Sequence, residues 1–274
     1  MRILRLLIWS IKLDVVFLLN IKGIHVWERV WFILIKYLYF VKDKVTGIRN
    51  KPARVSIFNR EYYYDNIYGL SSLQRVYCES YEIKEWLASD PIVIDIGAHT
   101  GQFNFFCSHY LTAERVISVE PLTDCYEILK LNARNPNDCI NCAIGITDDT
   151  VTMFIPEISS QHSTYIKDDN EKYRDSVDVK MKRLDDIMAE HLIDKCDLLK
   201  IDTEGSEYDV LVSAVNTLTN VDKVLVEMSV FRRSSGNMFV VGSYLQENGF
   251  RLAKLLPVSK DMQFLDGLFE RDIR

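Results

Sequence analysis

Between residues 92 and 270 the chain alternates short, almost wholly apolar runs with amphipathic stretches, and this alternation restricts its fold more than any other feature. Residues 92–96, 115–119, 196–201 and 224–227 read as strands buried on both faces, since a strand with one wet face would alternate polar and apolar residues. Residues 140–144, 151–155, 177–181, 251–256 and 264–270 read as further strands. Between them lie helical patterns over 101–111, where Phe103, Phe106, Cys107 and Tyr110 share a face, over 207–218, and over 238–248, ended by Gly249. A further helix is expected from Asp124, with Glu127 three residues on as a capping box. Strands of this kind separated by helices predict an α/β fold, a mostly parallel sheet with helices on both faces.

Ahead of this body, residues 54–64 read as a hairpin around Asn59-Arg60 and residues 71–89 as a helix stopped by Asp90-Pro91. Residues 1–50 are expected to form a helical arm, and residues 51–274 the α/β domain. Residues 1–60 hold 12 Lys/Arg against Asp14, Glu28 and Asp43, a net +9, while the whole chain carries −6. The body is therefore acidic, which excludes wrapping nucleic acid, and the arm is cationic. Six scattered cysteines lack the spacing of a disulfide framework, so a reduced, cytoplasmic setting is expected. Cys139-x-x-Cys142 has no second ligand pair, and no metal is expected.

The arm is expected to form two helices, about 3–20 and 25–42. Its longest charge-free runs are about seven residues, short of the roughly 20 that span a bilayer. Aromatic residues such as Trp27 and Trp31 interleaved with Arg and Lys allow two readings. Either the arm lies on an anionic membrane surface, as a peripheral contact at the inner face through residues 1–47, or it docks on the body or a second subunit.

Asp95-Ile96-Gly97-Ala98-His99-Thr100-Gly101 sits where the first strand of the alternating body turns into its helix, the place where doubly wound sheets bind nucleotides. A nicotinamide turn needs three glycines so that backbone can cradle a pyrophosphate, and this one has two. S-adenosylmethionine carries no phosphate, and its carboxylate needs only a close backbone N–H and a helix N-terminus. Glu120 ends the next strand 19 residues after Gly101, where a carboxylate can accept both hydroxyls of a ribose. Further on, Leu198–Glu207 places Asp202, Glu204 and Glu207 at the ligand edge of the sheet. For Glu207 a helix-dipole role is expected, and for Asp202 a functional one.

The run Val93–Gly101, Val119-Glu120-Pro121, Asn141–Gly145, Leu184–Ile187, Leu198–Glu207, Val226-Glu227 and Gly267-Leu268-Phe269 resembles the FkbM-type methyltransferases over roughly residues 75–272. The resemblance implies a class I, seven-stranded Rossmann-like methyltransferase domain over residues 51–274, S-adenosyl-L-methionine as cofactor, and methylation of a hydroxyl on a glycan, natural-product or lipid-linked acceptor. It assigns Asp95, Gly97, His99, Gly101, Glu120 and Ala143 to cofactor binding, Ala143 lying on the adenine-side strand. His99 departs from the family, which commonly has Asn there.

Asp202 is the first candidate for general base or acceptor positioning, and His162, in the polar stretch 159–164, is the second. A divalent ion held by Asp202 with Glu204 or Glu227 stays open as an alternative that the sequence spacing does not support. Two other readings stand beside the methyltransferase: a catalytically idle subunit whose arm recruits a partner, and a nicotinamide enzyme, which the missing third glycine disfavours.

Overall fold

The computed structural model describes residues 2–46, 52–66, 69–156, 172–231, 235–257 and 264–272. In chain order the elements are α1 (Arg2–Asn20), α2 (Val26–Thr46), β1 (Ala53–Ile57), β2 (Arg60–Tyr64), α3 (Gly69–Ser80), β3 (Ile92–Ile96), α4 (Gln102–Phe106), β4 (Arg115–Val119), α5 (Thr123–Asn132), β5 (Cys139–Ile140), β6 (Ala143–Ile144), β7 (Asp149–Pro156), β8 (Tyr173–Lys182), α6 (Leu184–Glu190), β9 (Leu198–Ile201), α7 (Glu207–Val212), β10 (Lys223–Ser229), α8 (Met238–Glu247), β11 (Phe250–Pro257) and β12 (Phe264–Arg271).

Seven strands form the main sheet in the order β5-β4-β3-β9-β10-β12-β11, and β12 alone runs against the others. This is the mostly parallel, class I arrangement expected. The chain leaves β3 toward β4 and later returns to β9 on the other side, so the carboxyl ends of β3 and β9 flank the crevice where such sheets bind ligands.

Alternate residues of each strand feed two cores. Ile94, Ile117, Leu199 and Val224 face Leu184, Val210, Val241 and Leu245 of α6 to α8. Val93, Val116, Leu198 and Leu225 face Tyr62, Tyr77, Phe105 and Phe106, together with Phe17, Ile21, Phe32 and Ile35 of the arm. One face of each arm helix is thus part of the domain core, as the docking reading expects of that face. Asp14, Lys36 and Gln74 form a buried polar cluster between arm and α3, with Lys36 Nζ donating to Gln74 Oε1 at 2.8 Å and to Asp14. Burial pulls the Lys36 ammonium below its ordinary pKa although Asp14 works against the shift.

Several local expectations need correction. The stretch 140–144 is two strands, because Asn141 Nδ2 donates to the Glu120 and Pro121 carbonyls at 2.9 Å each and anchors the chain between the sheets. Cys139–Ile140 edges the main sheet, and Ala143–Ile144 joins the hairpin β7–β8 in a second, three-stranded sheet. The capping box on α5 does not form: its first turn has no side-chain cap, and Glu127 pairs with Lys130 instead. The expected helix over 207–218 stops at Val212, and Asp185 takes the N–H and hydroxyl of Thr217 at 2.8 and 2.7 Å to start a separate turn. Likewise, α3 ends at Ser80 and passes into a 3₁₀ turn, and α4 ends at Phe106 and passes into a π-helical turn.

Candidate active site

The two turns that flank the crevice are packed backbone to backbone. Asp202 N–H donates to the Ile96 carbonyl at 3.0 Å, and a Cβ on Gly97 would lie 1.9 Å from the Asp202 carbonyl oxygen. With φ of +83° as well, position 97 accepts only glycine. Gly101, at φ +89°, lets the turn enter α4 against Leu129 and Asn132.

Glu120 lies beside this turn and is almost fully buried. His99, itself at φ +49°, donates its backbone N–H to Glu120 Oε2 at 2.8 Å, and Leu122 N–H donates to Oε1 at 2.9 Å. Each oxygen thus has one acceptor direction used by the backbone and another left for a ligand. Burial pushes the carboxyl up to about 7, while the two N–H donors oppose the shift. The His99 ring contacts Gln102, Nδ1 to Nε2 at 3.2 Å. Ala143, with Cys142, Ile144 and Met153, forms an apolar wall of the same cavity. Asp95, Gly97, His99, Glu120, Ala143 and Asp202 are therefore brought to one cavity, and Gly101 shapes the turn behind it. His162 lies outside the described residues.

Asp95 is fully buried, and neither carboxylate oxygen has a hydrogen-bond partner among the described residues. Its charge partner is Lys200, whose Nζ lies 3.4 Å from Asp95 Oδ1 and donates to Asp202 Oδ2 at 3.1 Å. Burial raises the Asp95 pKa, and Lys200 counters it. For Lys200, burial opposes the charge, but Asp202 and Asp95 outweigh it and hold the ammonium above its ordinary range.

The part of the cavity around Asp202 is acid-rich. Glu227 on β10 and Asp266 on β12 are direct cross-strand partners, so their side chains share one face. Burial, followed by the charge of Asp202, raises both: Glu227 well above its ordinary value and Asp266 to about 7. From α3, Arg75 Nε donates to both oxygens of Glu79 at 2.8 and 2.9 Å, and both residues line the cavity. Asp202, Glu204 and Glu227 place one ligand atom each within 4.8 Å of one another. Glu207 stands in the first turn of α7, the placement the dipole reading requires, and its Oε1 also accepts from Thr203 N–H, Thr203 Oγ1 and Gly205 N–H, bracing the loop after β9.

Sequence reasoning passed over Lys200, Arg75, Glu79 and Asp266. A charged residue inside an otherwise apolar strand was the available signal for Lys200 and Asp266. Nothing local marked Arg75 and Glu79, which are ordinary polar positions of an amphipathic helix.

Residues 95–252, more than half of the chain, match the family described as the methyltransferase FkbM domain. The chain belongs to the FkbM methyltransferase family. Among similar proteins, methyltransferase sdnD of Sordaria araneosa is 24% identical over 157 residues, 46% of this chain and 61% of its own length. Hexuronic acid methyltransferase AglP of Haloferax volcanii is 26% identical over 141 residues, 51% of this chain and 56% of its own. The chain thus spans about three fifths of the length of these relatives. The crystal structure of methyltransferase FkbM from Methylobacillus flagellatus overlaps 74% of this chain and 54% of its own, at 15% identity and a TM-score of 0.45. The matched residues include Gly97, Glu120 and Asp202 of the cavity.

Proposed function

We propose that this methyltransferase uses S-adenosyl-L-methionine and methylates a hydroxyl oxygen of a glycan, lipid-linked or natural-product acceptor. The observation that carries the reading is Glu120, a buried carboxylate fixed by two backbone N–H groups at the end of β4, beside a two-glycine turn. A nucleoside without a pyrophosphate suits this arrangement, because Glu120 would offer its ribose hydroxyls two acceptor oxygens. Asp95, whose buried oxygens lack hydrogen-bond partners among the described residues and face only the Lys200 charge, fits the charge of an ammonium group, and Gly97, His99 and Ala143 complete the wall.

When bound, the cofactor supplies an electrophilic methyl carbon. The residues of this chain then have to hold the acceptor oxygen in line and remove its proton, and positioning carries much of the rate. Asp202, held by Lys200 at the cavity edge, is assigned that proton, with His162 as the second candidate. Glu79, Glu204, Glu227 and Asp266 around Asp202, against Arg75 and Lys200, favour a neutral or cationic acceptor over a carboxylate-bearing one. The acceptor named for AglP, a hexuronic acid, supports a sugar hydroxyl as the class but not the negative charge.

Calorimetric titration with S-adenosylmethionine, its demethylated product and NAD tests the cofactor. Heat on adding the first two and none with NAD is expected. Binding of NAD alone overturns the reading. Transfer assays on paired neutral and uronate glycosides test the acceptor class, with the neutral member expected to react faster.

A further inference from the structure

The arm packs one face into the core, yet the opposite face is apolar as well. On α2, Trp27, Trp31, Leu34, Leu38, Val41 and Val45 follow at alternating steps of four and three residues, which sets them on one stripe. All six are more than half exposed, from 58% at Leu34 to 81% at Val45. Ile11, Val15 and Leu19, four residues apart, extend the exposed apolar surface on α1. A helix apolar on both faces asks for cover on the second one, and an exposed stripe of this size marks an interaction surface.

Charge decides what kind of cover fits. Lys12, Lys22, Lys42 and Lys44 are exposed on the same two helices and the link between them, within a segment of net +9. A second copy would set one cationic seam against another. A negatively charged lipid surface meets the lysines with opposite charge and takes tryptophan side chains at the level of its headgroups. The 18-residue window needed to cross a bilayer is absent from the described helices, so the geometry is that of helices lying on the surface.

We propose that the outer face of α1 and α2 binds an anionic lipid surface, with Trp27 and Trp31 seated at the headgroup boundary and the lysines against lipid phosphates. The inner face of the arm rests on α3 through Asp14, Lys36 and Gln74, and α3 lines the cavity with Ser72, Arg75, Val76 and Glu79. A single helix therefore separates the lipid-facing layer from the acid-rich end of the active site.

The test mixes the full chain with vesicles of phosphatidylcholine alone and with phosphatidylglycerol added, at low and high salt, and reads co-sedimentation and tryptophan emission. Binding to the phosphatidylglycerol vesicles is expected, with a blue shift, and it should weaken as salt screens the charges. Lys42→Gln and Lys44→Gln should each weaken it roughly fivefold. Trp27→Ser with Trp31→Ser should weaken it about tenfold or more, at an unchanged melting temperature because both side chains are exposed. The lysine variants pose the same question should the tryptophan pair disturb the fold. Absence of binding to phosphatidylglycerol vesicles at low salt, or equal binding to both vesicle types, overturns the proposal. So does a concentration-dependent dimer in light scattering that the tryptophan pair dissolves, since a second copy would then own the stripe.

Discussion

Lys200 Nζ lies 3.1 Å from Asp202 Oδ2, holding the carboxylate at the cavity edge from within the sheet. The same ammonium is 3.4 Å from Asp95, so one cation serves an acid at the end of β3 and an acid just past the end of β9. The pairing joins the two sides of the crevice electrostatically where the Gly97 and Asp202 backbones already join them sterically. It also assigns the two acids different work, since Asp95 is sealed from solvent while the Asp202 side chain is 37% exposed.

Asp202→Asn should lower turnover by about 10² to 10⁴, the usual loss on removing a general base, while leaving cofactor affinity and melting temperature near those of the parent. The substitution keeps the shape of the side chain and removes its proton affinity. Steady-state kinetics beside calorimetry separates the two effects, and wild-type turnover would move the base to another residue.

Lys200→Met should destabilise the fold by about 3–5 kcal/mol, because it strands Asp95 as a buried charge without a counter-ion. Adding Asp95→Asn should restore part of the loss. Urea unfolding of the two single variants and the double one measures the coupling, and strictly additive losses would contradict the pairing.

Cofactor affinity should fall as pH drops through about 7, where Glu120 takes up a proton and gives up acceptor capacity toward the ribose. Glu120→Gln should bind more weakly by about 1–3 kcal/mol at pH 8 and show a flatter pH profile. Titration calorimetry across that range reads both slopes.

Stability has a pH signature of its own. The Asp266 pKa is raised from 3.8 to about 7 in the folded chain, so its contribution is fully present below about pH 4 and is lost as pH rises through about 7. Asp266→Asn should therefore gain on the wild type between acid and alkaline conditions by about 2 kcal/mol, with about 4 kcal/mol as the ceiling set by the shift. Thermal or urea unfolding at both ends of the window checks the sign.

Phe17→Ala should cost about 3–5 kcal/mol, the range for emptying a buried aromatic site, although residue 17 belongs to the arm. Deleting residues 1–46 should expose Tyr62, Tyr77 and their neighbours and leave an aggregation-prone body. Light scattering of the truncated chain is the measurement, and a monodisperse, cooperatively folded product would contradict the packing described.

The strands β3, β4 and β9, the glycine turn and Glu120 were legible from sequence because each is coded locally. Apolar runs state that a strand is buried on both sides, and Gly97, Gly101 and a strand-end carboxylate carry their chemistry in their own positions. Tertiary structure alone decided which acids share the cavity. Glu227 and Asp266 meet through the register of an antiparallel pair, 39 residues apart in sequence but directly opposite in the sheet. Lys200 reaches Asp95 because β9 lies beside β3, and Arg75 with Glu79 arrive on a helix that precedes the whole alternating body. The arm shows the same division. Its sequence states that both helices are apolar and cationic, but only packing settles that Phe17 and Phe32 face the core while Trp27 and Trp31 face outward. Helical periodicity fixes which residues share a face, whereas the choice of buried face depends on what the rest of the chain presents to it.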